Sequence, residues 1–407
     1  MTSQIEEFRM GRPEFVALIA MLFATIAFSV DAMLPALPQI AEELSPLAPE
    51  RAPLILSAFL MGMGLGTFVT GPLSDAFGRR PVIFGGAALY VLSSAIAWAS
   101  DSLELMLIAR LFQGLGAAGP RVVAMAVIRD LYSGREMAKI ASLVMMIFAL
   151  VPAVAPALGA QIIWTVGWRG IFVAFVAFSL INLLWMGLRL PETLPVEKRR
   201  PLRFALMADA VRQMFAHPVV RLSMVVQALA MSMLFVTLMQ VQQIYDIVYD
   251  RAETFPYWFF LVAILSASAS LLNALLVVRY GMQTLITITL AGQVVLSGLF
   301  LTLDLGHSAY GFGFFVLWQT CLFFQAGLTL GNLNALAMEP MGHIAGMAAS
   351  VVGAVSTVVA AAATAPLGTL FDGTERPLIL SVLIMAIAAF LLMLYMRFVV
   401  QRAEIRL

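Results

Sequence analysis

The sequence is short of charge. Of its 407 residues, 12% are Asp, Glu, Lys or Arg and 62% are hydrophobic, whereas soluble globular domains carry about a quarter charged and about half apolar residues. So few charges cannot cover a water-soluble surface of this size, so most side chains face lipid or other helices. Cysteine is nearly absent. Cys321, the single one, sits in an apolar run and excludes an internal disulfide and a cysteine-based metal site. The three histidines, His217, His307 and His343, are far apart in sequence and form no His-Glu-x-x-His pair. There is no Gly-x-x-x-x-Gly-Lys-Ser/Thr loop, so direct ATP drive by this chain is not expected. A net charge of +1 gives no basic field for nucleic acid. The expectation is a non-enzymatic protein with no cofactor.

Long apolar runs are what the chain has. A bilayer core of about 30 Å needs roughly 20 apolar residues per helix. The hydropathy pattern predicts twelve spans, near 15–36, 53–72, 81–100, 103–128, 138–163, 168–190, 218–243, 255–278, 282–303, 309–334, 344–368 and 377–399. Phe15–Leu34 is too long for the apolar region of a signal peptide, and no small-residue cleavage site follows, so it reads as a retained first helix. The longest polar stretch, 191–217, contains Lys198, Arg199, Arg200 and Arg203. The predicted architecture is all-α, with twelve transmembrane helices in two pseudo-symmetric six-helix bundles, 1–190 and 218–407, joined by a linker at 191–217.

Charge placement predicts orientation. With these spans, 18 Lys and Arg fall on the termini and even-numbered loops, four (Arg51, Arg169, Arg251 and Arg376) on the opposite loops, and two inside the fourth span. Positive charge collects on the cytoplasmic side, so both termini and the linker are expected there. An internal duplication shows weakly: Phe77-Gly78 and Tyr280-Gly281, each between the second and third span of a half, lie 203 positions apart.

An ionisable side chain inside a membrane is a functional candidate by default. Three stand out: Asp31, Arg110 and Arg121. Asp31 lies in the outer third of the first span, and Arg110 lies about 10 Å below the outer end of the fourth, so the two are expected at comparable depth and in reach of each other. Asp31 reads as a carboxylate that gains and loses a proton as solvent access alternates, or as a helix-end residue ahead of Pro35. Arg110 reads as its tuning partner or as a staple to backbone carbonyls. Arg121, eleven residues on and about three turns along the same face, reads as a guide for anionic groups, a gate residue, or a side chain snorkelling to the interface. Gly114, Ala117 and Ala118 on that face suggest the wall of a water-filled cavity. Pro152, Pro156 and Gly159 mark one face of a bent fifth span. The second half has no acid or base deep in a span. Its neutral polar groups, Gln240 and Gln325 among them, and adaptable Met side chains such as Met33 are candidates for a substrate cavity.

Gly71-Pro-Leu-Ser-Asp75-Ala-Phe-Gly78-Arg79-Arg80 resembles the loop motif G-x-L-a-D-r-x-G-r-k of the major facilitator superfamily, in sequence and in position. Arg110-Leu-Phe-Gln113-Gly114-Leu-Gly116 resembles its span-four motif. Ala155-Pro156-Ala-Leu-Gly159-Ala160 resembles the antiporter motif G-P-x-x-G-G, with alanine at two of its glycines. Asp31-Ala-Met-Leu-Pro-Ala-Leu-Pro38, Arg129-Asp130-Leu-Tyr132 and the paired prolines Pro152 and Pro156 are similar to the Bcr/CflA-type drug-resistance branch. The resemblance implies that Gly71, Asp75, Gly78, Arg79 and Arg80 form a gate that contacts the second half and closes the cytoplasmic side. It also implies proton coupling through Arg110 and a role in antiport for Pro152, Pro156 and Gly159. The expected activity is proton-coupled export of small amphipathic drug-like molecules by alternating access, with Asp31 and Arg110 as the coupling pair. Arg121, Gln113, Met33, Gln240 and Gln325 are the expected cavity residues. The proton gradient is the expected energy source, a small-molecule substrate and membrane lipid the expected partners, a bacterial inner membrane the expected location, and a monomer the expected state. The alternative reading is a dedicated importer or exporter of one metabolite.

Overall fold

A computed structural model of the chain describes residues 10–199, 201–202 and 204–404. Arg9, Arg200, Arg203 and Arg406, counted above in the charge asymmetry, lie outside them. Twelve helical segments are long and apolar enough to span a bilayer, one at each predicted span. The described residues include no strand. This follows from the solvent: hydrocarbon offers no partner to a backbone N–H or C=O, and a helix satisfies both within one segment.

The chain divides into two units, Met1–Arg203 and Phe204–Leu407, with six spans each. The first contains α1 (Arg12–Asp31), α2 (Leu37–Leu44), α3 (Leu54–Phe77), α4 (Arg79–Trp98), α5 (Leu103–Leu131), α6 (Gly134–Val166) and α7 (Gly170–Arg189). The second contains α8 (Phe204–Ala216), α9 (Pro218–Gln243), α10 (Phe255–Tyr280), α11 (Met282–Thr302), α12 (Gly311–Met338), α13 (Ala345–Gly368) and α14 (Arg376–Glu404). The stretch expected as a plain linker thus contains a helix, α8, and its first residues belong to the first unit.

The first span is broken. α1 stops at Asp31, a short 3-10 turn covers Leu34–Ala36, and α2 continues to Leu44. Pro35 causes the break, because it has no N–H for the Asp31 carbonyl four residues back. The neighbouring Ala36 N–H goes instead to Met33 O at 3.0 Å. The two prolines of α6 have no such effect: the helix runs unbroken through Pro152 and Pro156.

Packing in the first unit centres on α5, which lies against α3 and α4. Between helices in lipid the hydrophobic effect gives little, so close backbone approach through small residues takes over. A Cβ at Gly62 would strike the Leu111 carbonyl, and one at Gly114 would strike the Phe59 carbonyl. Ala117 and Ala118 are fully buried. The small-residue face of α5 is therefore a helix contact and not the expected cavity wall. Ion pairs lock the helix ends. On the face holding the start of α1, Glu14 accepts from Arg189 Nε and Nη2, both at 2.7 Å, and from Trp185 Nε1 at 3.2 Å. On the opposite face Arg169 donates to Glu43 and to the carbonyls of Trp98 and Ser100, and stacks over Trp168 at 4.3 Å.

The second unit packs α9 against α12, α13 and α14. Its core holds the fully buried Trp318, Tyr245, Phe255 and Phe315. Tyr245 donates to Gln319 Oε1 at 2.9 Å, and Trp318 Nε1 donates to Ser297 Oγ at 2.9 Å.

The glycine contacts lead to a stability prediction. Gly114→Val should force α3 from α5 and cost about 1–3 kcal/mol, the usual range for overpacking, seen as a lower thermal midpoint in detergent. Gly85→Ala, where a Cβ meets nothing within 4 Å, should leave the midpoint unchanged.

Candidate functional site

Three arrangements in the first unit carry the chemistry expected from the sequence. The first is built on Arg110. Its side chain is completely buried and every direction of its guanidinium is used. Nε donates to Ile55 O at 3.3 Å, Nη2 to Ser29 O at 2.9 Å and Nη1 to Gln113 Oε1 at 2.6 Å. The Phe59 ring lies 4.5 Å from its centre. Gln113 passes the network on, donating from Nε2 to Ser94 Oγ at 2.7 Å, and Ser94 donates to Tyr90 O at 2.7 Å. The Tyr90 and Ser29 hydroxyls share a hydrogen bond of 2.6 Å. One arginine therefore ties α1, α3 and α5 together, and its partners extend the tie to α4. Each guanidinium nitrogen has an acceptor, as a low-dielectric interior requires.

Asp31 is absent from this network, so the expected contact between Arg110 and Asp31 is not found. Residues two apart on a helix point about 200° away from each other. With Ser29 turned to α4 and α5, Asp31 is turned away. Asp31, the last residue of α1, is buried, 6% exposed. No side chain among the described residues bonds or ion-pairs with it. Gly159 of α6 packs beside it: a Cβ there would strike the Ala32 carbonyl, the group left over where the helix breaks. Pro156, one turn earlier, is buried, and Pro152 is partly buried. Gly159 is thus the glycine of the antiporter-like segment that cannot be replaced without moving backbone. Ala155, at another glycine position of that pattern, is buried with its methyl accommodated.

The second arrangement lies between α3 and α4. Gly78 ends α3 and begins α4 with φ +103°, a conformation open to glycine and costly for other residues. A Cβ there would also press on Glu192 Oε2 and Arg199 Nη2. The space matters because Glu192 caps α4, accepting from Arg79 N at 2.9 Å and Arg80 N at 3.0 Å. A carboxylate there satisfies two free N–H groups and complements the helix dipole. The Arg79 side chain donates to Asp75 Oδ1 at 2.5 Å, Ser74 Oγ at 2.8 Å and Asp130 Oδ2 at 2.9 Å. Thr193 donates to the same Asp130 oxygen at 3.0 Å. Arg80 donates to Gly187 O at 3.0 Å. These partners belong to the first unit. Gly71, two turns before Gly78, is part of α3 itself and partly buried.

The third is Arg121. It is partly exposed, and its one named contact is Nη1 to the Met63 thioether at 3.9 Å.

The other cavity candidates are sealed in this conformation. Met33 and Gln113 are fully buried, Met33 at the break of the first span and Gln113 inside the Arg110 network. Gln240 donates to Leu367 O at 2.8 Å, and Gln325 donates to Thr329 Oγ1 at 3.0 Å. Both keep a buried carboxamide oxygen without a donor. The sequence reading missed Asp130, Glu192, Ser94 and Tyr90. Asp130 and Glu192 sit in segments noted for other reasons, Arg129-Asp130 and Pro191-Glu192-Thr193, and their partners lie more than fifty positions away. Nothing local identifies Ser94 or Tyr90.

Known proteins give the same frame. The family model described as Major Facilitator Superfamily matches residues 17–364. A bicyclomycin resistance protein homolog of Haemophilus influenzae is 29% identical over 372 residues, 90% of this chain and 91% of that protein. A multidrug resistance protein, MdtL, of Citrobacter koseri is 28% identical over 324 residues, 80% of each chain. A chloramphenicol resistance protein of Pseudomonas aeruginosa is 35% identical over 182 residues, covering 44% of this chain and 43% of that one. A solved D-xylose–proton symporter shares the fold at a TM-score of 0.71 and 16% identity, covering 94% of this chain and 97% of its own. Matched from the second turn of α1 to the last turn of α13, with the loop motif folded as a capped and ion-paired unit, this chain belongs to the major facilitator superfamily and is a multi-pass membrane transporter.

Proposed function

We propose that the chain exports small amphipathic, drug-like molecules in exchange for protons by alternating access, with Asp31 as the carboxyl that carries the proton. One observation carries this reading: Asp31, a buried acid with no bonded partner among the described residues, stands where the first span breaks. A group that binds and releases protons in each cycle must do so without dismantling a hydrogen-bond network, and Asp31 has none to dismantle. Arg110 then acts as a positioning residue, fixing the α1 backbone two residues away through Ser29 O. The resistance proteins that the chain resembles over most of its length support a drug-like substrate.

The energy source in this proposal is the proton gradient, with no bound cofactor. The chain works as a monomer in a bacterial inner membrane, with lipid as its surroundings and no nucleic-acid partner. Both termini lie on the cytoplasmic side, which places Arg79, Asp75 and Arg80 there as gate residues. Gly71 and Gly78 shape that gate, and Pro152, Pro156 and Gly159 hold α6 against the break beside Asp31. Arg121, Met33, Gln113, Gln240 and Gln325 are the groups that substrate approaches as the helices rearrange.

Two outcomes follow. Purified wild-type protein should release protons when bicyclomycin or chloramphenicol binds, and Asp31→Asn should bind within about threefold of wild type, a difference of well under 1 kcal/mol, while releasing none. Equal release from both proteins would remove Asp31 from the coupling role. At the gate, Asp130→Asn breaks a largely buried charge-assisted bond and should cost about 1.5–3 kcal/mol. Asp75→Asn, at a half-exposed carboxylate, should cost about 0–1 kcal/mol. Thermal unfolding in detergent would show the order, and equal shifts would contradict it.

A further inference from the structure

Arg79, Arg110 and Arg189, inside helices of the first unit, have oxygen acceptors, as does Arg169 at the start of α7, whereas Arg121 has none among the described residues. Arg110 has three, Arg79 has two carboxylates and a hydroxyl, and Arg169 and Arg189 have carboxylates. Arg121 has a thioether, which is a weak acceptor. No carboxylate, carbonyl or hydroxyl among the described residues accepts from it. It is not a snorkelling side chain either. Its guanidinium reaches Met63, whose neighbours Gly62 and Gly66 pack on α5 at 111–118, so it points back along α5 and away from the Leu131 end. Nor is it sealed like Arg110. It is partly exposed, and its unpartnered nitrogens are not closed off from solvent.

A guanidinium keeps its charge in proteins and carries five donors in a planar fork. Left open to solvent within a span, it matches the shape and charge of a planar oxyanion, which takes two parallel N–H bonds. Its neighbours include Met63 on α3 and Met125 one turn along α5, thioethers able to adapt to ligands of varied shape.

We propose that Arg121 is a substrate-binding residue that receives the carboxylate, or an equivalent planar oxyanion, of the transported molecule. This rests on the reading of the chain as an exporter and adds a preference: among amphipathic molecules of like size, those that present such a group bind more tightly. The Arg110 network supplies the contrast on the same helix face: there the protein provides the oxygens itself and no room for a ligand remains.

The test uses the purified full-length chain and two fluorescent probes that differ in one charge, dansylglycine and its methyl ester. Wild type should bind the acid at least about tenfold more tightly than the ester, the scale of one charge-assisted contact. Arg121→Gln should weaken the acid to the level of the ester and leave the ester within about twofold. Arg121→Lys should retain part of the preference, because it keeps the charge and loses the fork. Equal weakening of acid and ester in Arg121→Gln would mark a gate or structural role and overturn the proposal, and so would an acid preference that survives the substitution. If the variants do not fold, the wild-type ratio decides, and a ratio near one overturns the proposal. Neutral drugs that bind with Asp31-dependent proton release, alongside no advantage for the acid, would remove Arg121 alone from the account. Absence of binding and of proton release across all probes would remove the exporter reading and this proposal with it.

Discussion

The hydrocarbon interior of a bilayer offers no hydrogen-bond partners, and the rest of this structure follows from that constraint. It forces the backbone into helices and requires polar side chains to find partners inside the protein. Most of them do. Arg110, Gln113, Ser94, Tyr90 and Ser29 form one chain of bonds across four helices. Arg79 and Glu192 close the turn between α3 and α4 with their side chains and the first N–H groups of α4. Such groups hold the scaffold together. The constraint also isolates the groups that break it. Among the described residues Asp31 has no bonded partner, Arg121 has a sulfur where oxygen is expected, and several amides, Gln240 and Gln325 among them, keep an oxygen without a donor. A charge left open inside a membrane costs most, so Asp31 and Arg121 are where a function must account for the cost.

The two halves show the same plan with different chemistry. Gly281 ends α10 and begins α11 with φ +76°, as Gly78 does between α3 and α4. Asp304 lies 203 positions after Asp101, the same interval that separates the two glycines. Asp101 lies 3.6 Å from Arg169, and Asp304 lies 2.8 Å from Arg376. In each unit an acid after the third span thus meets an arginine at the start of the sixth, a contact no short motif reveals. The interiors differ. The first unit contains Asp31, Arg110 and Arg121, whereas the second is bonded through neutral amides and hydroxyls such as Asn273 with Asn332 and Gln325 with Thr329. The turns and end clamps recur in both units, while among the described residues charge deep inside a span is found in the first.

The twelve spans were legible because hydropathy and length act locally, and a run of twenty apolar residues has few other homes. The glycine turn at Gly78 was legible because its motif is contiguous. Side-chain direction was less so. Arg110 and Asp31 do lie on neighbouring helices, but the rotation between residues 29 and 31 separates them, and depth alone carries no information about rotation. Gln113 sits in a motif, yet its amide is used at both ends by partners on its own helix and on α4. Glu192 looked like the start of a linker because its charge lies outside the spans. Its role depends on an orphan helix terminus 113 positions away.

Arg110 and Arg121 show why a buried charge must be judged by its neighbours and not by its type. They share one face of one helix, eleven residues apart. The helix gives both the same outlook, so the difference arises on α1 and α3. At the level of Arg110, the Ile55 carbonyl approaches closely because Gly114 and Gly62 let α3 and α5 touch, and α1 supplies the Ser29 carbonyl. The Arg121 guanidinium reaches Met63 of α3, and no carbonyl among the described residues accepts from it. The same residue type is therefore a rivet at one level and an open donor three turns later. That contrast makes the first arginine part of the scaffold and leaves the second free to meet what passes through it.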